Sequence, residues 1–149
     1  MRLFRKTAGF SLIELLLVLA IIGIISGIAI PSFLGQRKRA RIIGDAQSNV
    51  KVLALVLETR KAETGIYGLG IEDKIYTWKK AADDGSGIAF LPQFVPQGNS
   101  QMNYSVTIPK AGLTYSITIT DFTTNTKTEA KVLTADQTGA VKIDSNYIK

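Results

Sequence analysis

The residue with the most conspicuous chemistry is Glu14, a carboxylate set at the mouth of an apolar run. From Leu15 to Gln36 there are 22 residues without a charge, and about 20 apolar residues of helix cross the hydrocarbon core of a bilayer. A carboxylate in hydrocarbon costs roughly 2.5–3.5 kcal/mol even on lenient insertion scales, so such groups usually have a partner. No basic residue lies within two helical turns after Glu14. A cut between Gly9 and Phe10 would create an α-amino group four residues before it, largely cationic at neutral pH because its reference pKa is about 8. The cation of one subunit could then meet the carboxylate of the next in a low-dielectric bundle, where their attraction is far stronger than in water.

The surrounding elements are arranged to place that group. Arg2, Arg5 and Lys6 precede the apolar run and are expected to hold the N-terminus on the cytoplasmic side, leaving the bulk of the chain outside. Phe10 to Leu34 is expected to be helical. Within it Gly23 and Gly27, with Ser26 beside them, make a Gly-x-x-x-Gly pair that allows close helix approach. Pro31 removes one backbone bond and crowds the preceding turn, so a kink or local unwinding between Gly23 and Pro31 is expected.

Gly9-Phe10-Ser11-Leu12-Ile13-Glu14-Leu15, with a basic leader before it and an apolar stretch containing Pro31 after it, resembles the class III signal of type IV prepilins and pseudopilins. The resemblance covers residues 5–35. It implies cleavage after Gly9 by a prepilin peptidase, methylation of the Phe10 amine by the same enzyme, and a role for Glu14 in filament assembly. It also implies a helical polymer of identical or related pilin subunits, in which Gly23, Gly27 and Pro31 lie in packed helices. Inner-membrane assembly machinery and, before assembly, the lipid bilayer are the other implied partners. The precursor would reside in the inner membrane and the product in a cell-surface filament or a periplasmic pseudopilus.

Other readings of the same run are a secretory signal cut near Gly27-Ile28-Ala29, a signal anchor with an incidental Glu, and a core helix. An apolar surface on all sides of the helix suits lipid better than a half-wet core. A membrane-tethered exported domain that never polymerises is the alternative function, and a type II secretion pseudopilin is the alternative within the family.

With no Cys and no His in 149 residues, the chain excludes a disulfide framework, a Cys or His metal cluster, a Ser-His-Asp triad and a Cys-x-x-Cys-His haem site. It departs there from many type IVa pilins, whose C-terminal loop is closed by a disulfide. Arg2, Arg5 and Lys6 contribute three of the 18 basic residues, against 12 acidic. The chain beyond the leader is therefore only mildly basic, which gives little support to nucleic-acid binding. No catalytic constellation or cofactor motif is found. Asp136 and Asp144 are a weak calcium candidate, since major pseudopilins bind calcium near the C-terminus.

The expected domains are a leader at 1–9, a transmembrane or filament-core half of the helix at 10–36, and a globular head at 37–149 that includes the second half. Arg37-Lys38-Arg39 and Arg41 form a solvated juxtamembrane end that could touch anionic headgroups or acids of neighbours such as Asp45 or Glu58. Ile42/Ile43, Ala46, Val50, Leu53 and Leu57 recur at helical spacing and can cover a sheet, with Gly65 as the stop. The stretch from Gly65 to Gln101 reads as a Gly- and Pro-rich connection, with a helical turn or two between Asp73 and Ala82 and Trp78 as its packing anchor. Alternation at Tyr104–Ile108 and Leu113–Thr120 predicts two strands, with further strands at Lys127–Thr134 and Ala140–Ile143. The threonines at 118, 120, 123, 124, 126 and 128 fit β-propensity on a wet face; O-glycosylation is the other reading. The fold class is α+β, a long N-terminal helix packed on an antiparallel sheet of three to four strands.

Overall fold

A computed structural model describes residues 9–78, 86–98, 102–121 and 130–148. It divides the chain into two compact units, Met1–Lys38 and Arg39–Lys149. One element, the helix α1 (Leu12–Thr64), contributes to both.

In the first unit α1 is long and apolar enough to cross a membrane. From Leu12 to Gln36 every residue is exposed except Ser26, which is half-buried. The helix runs unbroken through Gly23, Gly27 and Pro31. The expected unwinding is therefore absent from this chain by itself; the lost backbone bond of Pro31 is a local defect that the flanking Leu- and Ile-rich turns carry.

The second unit is the head. It holds the rest of α1, then β1 (Lys74–Trp78), α2 (Ser86–Phe90), β2 (Met102–Ile108), β3 (Ser116–Asp121), β4 (Ala130–Asp136), β5 (Val141–Ile143) and α3 (Ser145–Ile148). The five strands pair antiparallel in chain order. Ile42, Ala46, Asn49, Val50, Leu53 and Leu57 form the buried stripe of α1. They share one core with Met102, Tyr104, Val106 and Ile108 of β2 and with Ile117 and Ile119 of β3. Val132 and Leu133 are consecutive yet both buried, because the β3–β4 register shifts there: Ile119 faces Leu133 and Thr120 faces Lys131. Val132 is the extra residue of a bulge, so the strict two-residue alternation of sides is suspended.

Three hydrogen-bonded clamps complete the head. Asn49 Nδ2 donates to the Gln97 carbonyl at 2.8 Å and to the Tyr104 hydroxyl at 2.7 Å, while its Oδ1 accepts from the Gln97 amide at 2.9 Å. One buried side chain of α1 thus holds the loop before β2. Near the end of α1, Tyr67 donates to Glu58 at 2.7 Å and packs edge-on against Tyr115. The helix stops at Gly65, whose φ of +83° and bond to the Lys61 carbonyl close it in the left-handed conformation open to glycine. At the far end of the chain Tyr147 donates to the buried Asp121 at 2.7 Å. In a chain without cysteine, this bond and the burial of Tyr147 tie α3 to the sheet.

One expectation needs correction. The stretch after Asp73 is not a helical turn: Lys74–Trp78 is a strand, with Tyr76 and Trp78 buried and Ile75 exposed, the period-two signature that β2 imposes by pairing along its length. Trp78 does anchor packing, edge-on to Phe94, and α2 sits so close that a Cβ on Gly87 would lie 2.4 Å from its ring. Glu58 accepts a hydrogen bond from Tyr67 and keeps acceptor capacity beyond it. Among the threonines, 118 and 120 are half-buried on β3; 123, 124, 126 and 128 lie outside the described residues, as does the start of the expected strand at Lys127.

Burial pushes the phenols of Tyr67, Tyr104 and Tyr115 up from 10.0 to about 12; Glu58 adds to the rise at Tyr67 and Tyr115, while the Asn49 bond opposes it at Tyr104. A raised folded-state value means the head binds these protons more tightly than the unfolded chain. Its stability is therefore fully present below pH 10 and falls as pH rises toward about 12. Circular-dichroism melts of the detergent-solubilised protein should show a melting temperature that is level from neutral pH to pH 10 and drops steeply above it. Tyr147→Phe, which strips one donor from buried Asp121, should destabilise the head by about 1–3 kcal/mol in denaturant titrations.

Candidate processing and assembly segment

The residues singled out at the N-terminus lie in one short stretch. Gly9 and Phe10 precede the helix, in backbone with no regular structure. Phe10 is 85% exposed, and nothing lies within 4 Å of where a Cβ on Gly9 would be. The peptide bond between them is open to an enzyme, as a bond inside a helical ladder would not be.

Glu14 has a partner within its own chain that the charge-based reading overlooked. Its Oε2 accepts a hydrogen bond from the Ser11 amide at 2.8 Å, while the Leu15 amide donates to the Ser11 carbonyl at 3.2 Å. Ser11 is thus the N-cap of α1 and Glu14 its third helical residue, the reciprocal half of a capping box. The carboxylate also sits at the positive end of the helix dipole. The signal was present in the sequence as Ser11-x-x-Glu14, directly before an apolar run. A carboxylate has two oxygens and accepts several bonds, so this cap leaves Glu14 with capacity for a cation.

Further along, Gly23, Gly27 and Pro31 follow one another at four-residue intervals and so share a face of the helix, with Gly35 next in the series. A Cβ added at Gly23, Gly27 or Gly35 would meet nothing within 4 Å, so that face is a smooth groove open to a neighbour.

In the head, the two acids weighed for calcium make turn bonds. Asp136 accepts from the amide and hydroxyl of Thr138, and Asp144 accepts from the Asn146 amide. The Thr138 bonds hold the Asp136 carboxyl below its usual range. Among the described residues no three His, Cys, Asp or Glu side chains gather as a metal site.

The cap and the charge of Glu14 can be separated by substitution. Glu14→Ala should free the Ser11 amide and speed its hydrogen exchange in micelles by roughly the factor that about 1 kcal/mol of capping represents, near five-fold. Glu14→Gln, which keeps an acceptor at that position, should leave the exchange nearly unchanged.

Comparison with known proteins bears on the same segment. The prokaryotic N-terminal methylation motif matches residues 4–30. A type IV major pilin protein, PilA of Myxococcus xanthus, is 46% identical over 48 residues, 32% of this chain and 21% of that protein. The type IV wide pilus major component PilA4 of Thermus thermophilus is 56% identical over 36 residues, 24% of this chain and 28% of that protein. The matched stretch thus spans less than a third of either relative's length. No solved structure matches the chain. The chain carries the prokaryotic N-terminal methylation motif at residues 4–30 and is similar over part of its length to type IV major pilins.

Proposed function

We propose that the chain is a structural subunit of a type IV pilus filament: made as an inner-membrane prepilin, cleaved after Gly9, methylated at Phe10 and polymerised through the N-terminal half of α1. The observation that carries this reading is Glu14, the one charge at the head of an exposed apolar helix, five residues beyond an accessible Gly9–Phe10 bond. The subunit works by packing and carries out no reaction of its own.

The apolar run then has two successive environments, lipid before assembly and neighbouring helices after it. At ~25 cal/mol for each Å² of apolar surface, both keep it from water. Transfer between two apolar surroundings gains little by itself, so direction and register must come from elsewhere. A charge pair supplies them: the Phe10 ammonium of one subunit meets Glu14 of another, and in low dielectric an unpaired carboxylate is strongly penalised. Glu14, already held by Ser11, presents its remaining acceptor capacity in a fixed direction. The Gly23, Gly27 and Pro31 face lets helices approach closely, where van der Waals contact takes over as the association energy. In the filament the Pro31 defect is where the helix can lengthen. Prepilin peptidase and the inner-membrane assembly machinery are the partners this cycle requires.

A pilus is favoured over a type II secretion pseudopilus because both curated relatives are named as type IV pilins.

The test is to express Glu14→Ala and Glu14→Gln in the native host and measure membrane insertion and sheared filament yield together. Both variants should insert normally. Both should lose filament yield at least roughly tenfold, the factor equivalent to 1.4 kcal/mol. Wild-type yield from Glu14→Gln, which keeps the cap and loses the charge, would contradict the pairing.

A further inference from the structure

On the head a hollow of about 350 Å³ is lined by Arg39, Ala130, Lys131, Asp144, Asn146 and Tyr147. A second hollow shares Lys131, Asp144 and Asn146 with it and adds Lys142. Arg39, Lys131 and Lys142 are all exposed, and none is within ion-pair distance of a carboxylate among the described residues, where the pair of Lys74 and Glu72 is the one found. Two acids face the patch. Asp144 lines both hollows but accepts from the Asn146 amide, and Asp136, which feels the charge of Lys142, is bonded to Thr138. The floor is rigid, because Tyr147 is buried and donates to buried Asp121. Three exposed cations against two acids leave the face net basic, which suits phosphate.

Chain connectivity restricts where that phosphate comes from. Arg39 is three residues after Gln36, the last uncharged residue of the membrane run, and three residues reach at most about 11 Å even when fully extended. If residues 15–36 span a bilayer, Arg39 is within headgroup reach whatever the orientation of the head.

We propose that the Arg39, Lys131 and Lys142 face of the membrane-resident subunit binds anionic phospholipid headgroups before assembly. This rests on the membrane span and not on polymerisation. Entry into a filament then requires the head to leave the leaflet.

The experiment uses the full chain reconstituted in vesicles. The absence of native cysteine makes Ala140→Cys, in the exposed turn between β4 and β5, a unique site for a donor fluorophore, with an acceptor on lipid headgroups. Energy transfer should rise when phosphatidylglycerol replaces part of a phosphatidylcholine bilayer, and fall again in high salt. Each cation near an anionic surface is worth about five-fold in partitioning, so Lys131→Gln with Lys142→Gln should weaken docking roughly 25-fold. Lys110→Gln, in the turn between β2 and β3, should leave it unchanged. Energy transfer that ignores lipid charge, or an equal loss from Lys110→Gln, would overturn the proposal. So would release of the head by a short single-stranded oligonucleotide at concentrations where glycerophosphate of equal charge has no effect, which would assign the face to nucleic acid.

Discussion

Everything in this chain depends on one constraint: the helix from Leu12 to Gln36 exposes apolar side chains on every side and must be kept from water at all times. A soluble subunit with that surface would aggregate, and a permanently membrane-bound one could not join a surface fibre. The combination becomes workable if the helix passes from lipid directly to other helices of its own kind. Because the two surroundings are similarly apolar, the specificity of that passage falls to the few features that are not: Glu14, the amine that cleavage before Phe10 would expose, and the small-residue face from Gly23 to Pro31.

The head solves a different problem with the same helix. Its stripe from Ile42 to Leu57 is apolar on one side only and is covered by the five-stranded sheet. At the C-terminus this chain uses the buried bond between Tyr147 and Asp121, and where the loop before β2 needs fastening it uses Asn49. Both clamps depend on exclusion of water, which strengthens a satisfied polar contact and makes a broken one costly. The head's strength therefore comes from tight packing around a few polar bonds.

Much of this was legible in the sequence, for physical reasons. A run of 22 uncharged residues and a four-residue stripe leave few alternatives to helix, and β-branched alternation in Tyr104–Ile108 and Ser116–Thr120 leaves few alternatives to strand. The misreadings occurred where tertiary pairing overrules local pattern. Lys74–Trp78 lies among glycines and prolines that read as a connection, yet pairing with β2 across five residues makes it a strand. The bulge at Val132 hides an inward pair that alternation would split between two faces. At the candidate site, the capping box of Ser11 and Glu14 was written in the sequence but masked by the more conspicuous question of the carboxylate's charge. Asn49 carried no signal, because its role depends on Tyr104 and Gln97, about fifty residues away in the chain.

The central claim is that Glu14 waits for an amine that processing creates. Intact mass combined with N-terminal sequencing of the protein from its own cells tests it most directly. The account predicts a chain that begins at Phe10 and is heavier than that sequence by one methyl group. A chain that still begins at Met1, or one cut near Ile30, would contradict it, because in neither would an ammonium stand four residues ahead of the carboxylate.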